Sequence, residues 1–204
     1  MKRNKINDEQ MKIMEEKALQ AESVEQLRGF EGNAARVYFQ SFRKFVEPFE
    51  CEKRVFHPPD NAVNAMLSFG YTLLYNRIAA GLRIKGLNPY KGFFHRTHGR
   101  HCALASDLME ELRHVIDRVV LSLIHIKEVN PDDFTIIDNG NEKFCRMNGE
   151  AFRKFIRRYE TVMAAYFKYS SEERISYNAY LDEMINKLIR AIKLKVPYIA
   201  LKIR

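Results

Sequence analysis

A chain of 204 residues, 46% of them apolar, fits one globular domain or a domain with a small appendage and can bury roughly 70% of its unfolded surface. No stretch approaches the roughly 20 uncharged apolar residues of a membrane-spanning helix, and Met1 to Lys5, followed by Asn7, Asp8 and Glu9, lacks an apolar signal-peptide core, so a cytoplasmic protein is expected. The formal charge of +8 draws a chain toward polyanions, but solvated lysines give the same sum, and the placement of charge has to decide.

The charged segment Asn7 to Ala21, with Ile6, Met11, Met14 and Ala18 as its apolar positions, reads as a short helix, and residues 1–22 as a helical extension. Ser23 then offers an N-cap with Gln26 at the capping-box position. Val24, Leu27, Phe30, Ala34, Val37 and Phe45 recur at helical spacing up to about Val46, before Pro48. After His57-Pro58-Pro59, Asp60 is the expected N-cap of a long helix through Ala62, Leu67, Tyr71, Leu74, Ile78 and Leu82, apolar on several faces and so central. Gly81, Gly86, Asn88, Pro89 and Gly92 enforce a loop, and a fourth helix is expected from about Ala103 to Ile126. Asp138-Asn139-Gly140-Asn141 between two β-type runs predicts a hairpin within Phe134 to Met147. Helices over about Glu150–Tyr169 and Glu172–Lys195 complete a mainly α fold, a multi-helix domain with one small β-hairpin. Cys51, Cys102 and Cys145 are odd in number without CxxC spacing, which argues for buried or incidental thiols.

Asp107 and Glu110 are three residues apart, about 60° around a helix axis, with the apolar stripe Leu104, Leu108, Leu112, Val115 and Val119 facing the other way. Such an acidic face is usually solvated. Two carboxylates also suit Mg²⁺ or Mn²⁺ when further ligands are present. The preceding loop supplies candidates: Gly92-Phe93-Phe94-His95, then Arg96, His98, Arg100 and His101. Histidine is a nitrogen ligand acceptable to Mn²⁺, and the basic side chains suit phosphate oxygens. A zinc site from His95, His98, His101 and Cys102 lacks the usual ligand spacing, and an exposed polar loop is the simpler alternative. Glu31 is an acidic residue set among the small residues Gly32, Ala34 and Ala35, which permit close helix approach; an ordinary crossing with Glu31 at its rim explains the pattern equally well.

Four segments occur in order: Leu27-Arg28-Gly29-Phe30-Glu31-Gly32-Asn33-Ala34-Ala35-Arg36, Asp60-x-x-x-Asn64-Ala65-x-Leu67-Ser68-Phe69-Gly70-Tyr71, Gly86-Leu87-Asn88-Pro89-x-x-Gly92-Phe93-Phe94-His95, and Leu104-Ala105-Ser106-Asp107-Leu108-Met109-Glu110-Glu111-Leu112-Arg113. Together they resemble the motifs of the CRISPR-associated spacer-acquisition endonuclease and integrase family, over about residues 23–195. The resemblance implies that Glu31, His95 and Glu110 bind a catalytic Mg²⁺ or Mn²⁺, with Asp107 as an additional catalytic acidic position that orients a ligand or positions nucleic acid. The family usually carries an N-terminal β-rich domain, and this chain resembles its compact versions, with residues 23–204 as the integrase domain.

The implied activity is transesterification, in which the 3′-hydroxyl of a DNA fragment attacks a phosphodiester at a CRISPR repeat. Arg96, Arg100 and Arg113 would hold phosphate, and Arg153, Lys154, Arg157 and Arg158 form a second basic cluster for the DNA backbone or a solvated helix face. A metal-dependent nuclease of branched DNA and a non-catalytic nucleic-acid-binding module are the rival readings. Two-ended insertion implies a homo-oligomer, dimer or tetramer, with a small companion protein as a further partner. The apolar residues of the first helix and of Pro197 to Ile203 serve either as its contacts or as packing on their own core.

Overall fold

Apolar side chains on several faces of one segment place it at the centre, and the computed structural model, which describes residues 8–55, 57–140 and 142–201, puts it there. Helix α3 spans Ala62–Ile84 and buries Val63, Met66, Leu67, Tyr71, Leu74, Ile78 and Leu82. Its N-cap is Asn61, whose side chain accepts from the Asn64 N–H at 2.9 Å. The expected cap, Asp60, instead accepts from the side-chain amides of Asn61 and Asn64. Its C-terminus closes on Gly86, with φ of 76°. There the Leu87 N–H reaches the Leu82 carbonyl and Gly86 N–H that of Arg83, the paired bonds of a left-handed glycine cap.

The chain enters through α1 (Asp8–Leu19) and α2 (Val24–Phe42), the latter capped by Ser23 as expected and extended by one tight turn, Arg43–Phe45. Met11 and Met14 face Leu27 and Phe30 across a groove between these two helices. Helices α4 (Ala103–Met109) and α5 (Arg113–His125) flank α3. Gly70 lets α5 approach closely, since a Cβ there would lie 2.4 Å from the Ile116 Cγ2. Strands β1 (Phe134–Asp138) and β2 (Lys143–Met147) form the expected antiparallel hairpin, in register from Phe134 opposite Met147 to Asp138 opposite Lys143. Helices α6 (Gly149–Ala164) and α7 (Tyr177–Leu194) close the core with Phe155, Tyr159, Tyr180 and Met184. The sequence positions Ile6, Asn141 and Ile203 lie outside the described residues.

Besides the cap of α3, four sequence expectations are corrected. The fourth helix is two helices, parted by a 3₁₀ turn at Glu110–Leu112. The helix expected to reach Tyr169 stops at Ala164. Residues to the start of α7 form a second hairpin, β3 (Tyr166–Lys168) with β4 (Arg174–Ser176). No glycine or proline marks that stop. Ala165 turns extended, its carbonyl takes the Tyr177 N–H, and Phe167 stacks on Tyr177 with ring centroids 4.5 Å apart. Helix α7 therefore starts later than Glu172, with Ser176 as its cap. Finally, Asp107 is buried and not on a solvated face.

One polar cluster ties three helices together. The buried Asp117 of α5 accepts from the Tyr38 hydroxyl of α2 at 2.6 Å and the Tyr71 hydroxyl of α3 at 2.5 Å. Burial raises both phenol pKa values, so they remain protonated donors. The buried side chains of α2 are Val37, Ser41 and Phe42, with Tyr38 and Phe39 packed beside them, and this bond adds a polar tie to that packing. Tyr38→Phe keeps the ring against Phe39 and Phe42 but removes a donor to a buried carboxylate. It should lower unfolding free energy in urea by about 1.5–3 kcal/mol; an unchanged midpoint would show that water or a neighbour replaces the bond.

Candidate functional site

The loop between α3 and α4 is organised by one carboxylate. Asp107 Oδ2 accepts the backbone N–H of Phe93 at 2.6 Å and of Phe94 at 3.2 Å. Its Oδ1 accepts the His95 N–H and faces the His95 Nδ1, both at 2.8 Å. Gly92 is required for this approach, because a Cβ there would stand 2.8 Å from Asp107 Oδ2 and 2.9 Å from Ala103. With Nδ1 occupied, Nε2 is the imidazole nitrogen left for another partner.

The electrostatics follow from those contacts. The hydrogen bond from the His95 ring to Asp107 raises the His95 pKa above its ordinary value against a desolvation cost, helped by the negative charge of Asp107, Glu110 and Glu31. Burial alone would raise the Asp107 pKa; its bonds to His95 and to the three backbone N–H groups outweigh this and hold it low. Burial likewise raises Glu110, opposed by Arg113 and assisted by Glu31.

Glu110 opens the 3₁₀ turn and both its oxygens accept from Arg113 Nη1, at 3.0 and 3.1 Å. Arg113 also lies over the Tyr71 ring, 5.0 Å from its centroid. Glu31 is exposed on α2. A cavity of about 600 Å³ is lined by Glu31, Arg36, Arg54, His95 and Arg113 among others. A second, of about 540 Å³, is lined by His95, Glu110, Arg113 and Tyr71 among others. His95 and Arg113 thus separate a Glu31 side from a Glu110 side. Among the described residues, no three His, Cys, Asp or Glu side chains are gathered closely enough to hold a metal ion. The donor chemistry nevertheless suits a hard divalent ion: two carboxylates and one oriented imidazole that already influence one another's charge. Glu110 is at present turned to Arg113.

The remaining expected residues divide. Arg113 is at the site, while Arg96 is exposed and ion-paired to Glu25 at 2.6 Å. Arg100 is exposed in the loop. On α6, Lys154 pairs with Glu150 at 3.0 Å and Arg158 with Glu128 at 3.4 Å, while Arg153 and Arg157 are exposed; none of the four lines either cavity. His101 bonds Ser106 and stacks on Tyr75, and Cys102 is buried beside Arg83, so the zinc alternative is not assembled. Cys51, Cys102 and Cys145 are all free thiols.

Sequence reasoning missed Arg36 and Arg54 as lining residues, Asp117 as the anchor of Tyr38 and Tyr71, and Glu111. The last accepts from Tyr180 at 2.7 Å, from Tyr198, and from the Leu201 N–H at 2.8 Å. This ties the described part of the tail to its own core. An acidic residue inside Val115-Ile116-Asp117-Arg118-Val119-Val120 was the available signal for Asp117.

The His95–Asp107 pair has a definite pH window. The raised His95 contributes stability fully below the unfolded imidazole value of about 6.5, lost as pH rises through its folded value; the lowered Asp107 contributes above about 3.9, lost as pH falls through its folded value. Asp107→Asn should lower the His95 pKa toward its ordinary value in an NMR titration of the imidazole. An unmoved titration would mean that Asp107 does not control that ring.

Comparison with known proteins bears on the family of the chain. The family profile described as CRISPR associated protein Cas1 matches residues 2–161. A CRISPR-associated endonuclease Cas1 from Thermus thermophilus is 41% identical over 145 residues, covering 70% of this chain and 42% of that protein. One from Methanospirillum hungatei is 34% identical over 186 residues, covering 90% and 55%. A solved Cas1 structure from Thermotoga maritima superposes with a TM-score of 0.81 at 26% identity, over 100% of this chain and 62% of the other. A chain of a partial Cas6-RT-Cas1–Cas2 complex does so with 0.80 at 29% identity, over 95% and 59%. This chain spans about half the length of the relatives it matches in sequence. The four ordered motifs, the helical fold and the profile match agree: the chain belongs to the Cas1 family.

Proposed function

We propose that this chain supplies the catalytic domain, residues 23–204, of a CRISPR-adaptation integrase, with residues 1–22 as an extension that carries α1. The observation that carries the reading is the fixed His95, held by Asp107 between one cavity bearing Glu31 and another bearing Glu110. Relatives named as Cas1 endonucleases, and the likeness to a chain of a Cas1–Cas2 complex, support it.

In this reading Glu31, His95 Nε2 and Glu110 hold Mg²⁺ or Mn²⁺. Such an ion, when bound, supplies Lewis-acid stabilisation to the phosphoryl oxygens. Asp107 keeps the imidazole oriented. Arg113, which pairs with Glu110 until that carboxylate turns to the ion, offers positive charge to phosphate in the cavities together with Arg36 and Arg54; Arg96, Arg100 and the α6 cluster Arg153, Lys154, Arg157 and Arg158 would follow the DNA backbone. The 3′-hydroxyl oxygen of the incoming fragment bonds to phosphorus as the bond to the target strand's own 3′ oxygen breaks. The proton of the attacking hydroxyl ends on that departing oxygen. One chain carries one such set, so two-ended insertion requires at least two copies, a homodimer or tetramer, with or without a small companion protein.

The test is strand joining of a labelled short duplex to repeat-containing DNA in Mg²⁺ or Mn²⁺. Glu31→Ala, His95→Ala and Glu110→Ala should each abolish joining, non-additively, with melting temperature and most DNA affinity retained. Asp107→Asn should give a smaller defect. Hydrolysis without joining would favour a nuclease; DNA binding that all three variants retain, from a wild type that neither joins nor cuts, would favour a non-catalytic binding module. Light scattering on DNA should find a multimer; two-ended joining by a monomer would contradict the stoichiometry.

A further inference from the structure

Of two consecutive phenylalanines in the Asp107-held loop, one is packed and the other is not. The Phe94 ring lies edge-on to His95 at 5.1 Å and beneath the Arg28 guanidinium at 5.5 Å. Arg28 also donates to the Phe94 carbonyl. Phe93 is 62% exposed, two residues from His95. Its backbone is the tightest of the three held by Asp107, and Gly92 before it is wedged against Asp107 and Ala103. A large apolar ring is therefore presented to solvent from a segment that is already ordered.

Its surroundings narrow the occupant. Phe93 borders a cavity of about 580 Å³ whose lining includes Tyr90, itself 39% exposed, and three cations, Arg28, Lys91 and Arg96, against one carboxylate, Glu25. That carboxylate is engaged by Arg96 at 2.6 Å and Arg28 at 3.9 Å. Aromatic faces amid net positive charge fit a polyanion with flat bases and fit an apolar peptide poorly.

We infer that Phe93 is a nucleobase-stacking residue: an unpaired base of the DNA strand entering the site lies on its ring while Lys91 and Arg96 face that strand's phosphates. Duplex DNA keeps its bases paired and stacked, so the contact discriminates for a single-stranded end. The inference rests on the integrase reading for the identity of the strand, but needs neither metal nor turnover to be observed.

The experiment uses the full chain in EDTA with two oligonucleotides, a blunt duplex and a duplex with a 3′ overhang carrying 2-aminopurine. Wild type should quench the 2-aminopurine on binding. Phe93→Ala should remove the quench and weaken overhang binding about ten-fold, within the range of one lost stacking contact, leaving blunt-duplex binding and melting temperature unchanged. Phe93→Tyr should retain both signals and Phe93→Leu neither. Wild type that leaves the fluorophore unquenched, or Phe93→Ala that still quenches it, overturns the inference. So does Phe93→Ala that weakens both DNAs equally, or that changes the oligomeric state without DNA while quenching persists, since the ring then covers another copy of the chain. Quenching by a wild-type protein that fails to join strands would count against the integrase reading alone.

Discussion

A buried carboxylate that accepts three backbone N–H groups and faces an imidazole nitrogen is the constraint on which the site depends. A charge enclosed in the fold is costly unless each oxygen is satisfied. Asp107 meets that condition only if residues 93–95 adopt one path. The requirement runs in both directions: the loop has little regular structure of its own, and Asp107 provides the bonds that a strand or helix would otherwise provide. Gly92 permits the approach, Phe94 seals it from the α2 side under Arg28, and Phe93 is left facing outward. The position of His95 is thus a consequence of satisfying a carboxylate.

The same economy operates one turn further along. Residues Glu110 to Leu112 leave the α-helical path, which lets neighbouring acidic residues serve different partners. Glu110 turns to Arg113 at the cavity, and Glu111 turns to Tyr180, Tyr198 and the Leu201 amide. Arg113 touches Tyr71, and Tyr71 shares Asp117 with Tyr38. Tyr38 lies seven residues after Glu31, two turns along the same face of α2. A chain of polar contacts therefore runs from Glu110 to α2, the helix that carries Glu31.

What was legible in the sequence was what is local in it. The helix cap at Ser23 and the hairpin at Asp138 to Gly140 are decided within a few residues, and the central helix announces itself by apolar residues on several faces, with Thr72, Asn76, Ala80 and Arg83 left to solvent. The four ordered motifs carried the family, and with it the proposal for Glu31, His95, Asp107 and Glu110. What was not legible depends on partners distant along the chain. Tyr71 and Asp117 are 46 residues apart, Tyr38 and Asp117 are 79, and Glu111 and Leu201 are 90. Periodicity treats Asp107 as the polar side of a helix because it has no term for a loop that folds over it. Likewise the second hairpin has no glycine or proline to announce it; stacking of Phe167 on Tyr177 decides it.

The central claim is a division of labour: Asp107 orients His95 while Glu31, His95 and Glu110 bind the ion. A crystal structure of the chain with Mn²⁺, located by its anomalous scattering, tests this most directly. The account requires one ion on His95 Nε2 and the carboxylates of Glu31 and Glu110, with Glu110 released from Arg113 and Asp107 still on Nδ1. An ion on Asp107, or one bound while His95 keeps away from it, would contradict the account.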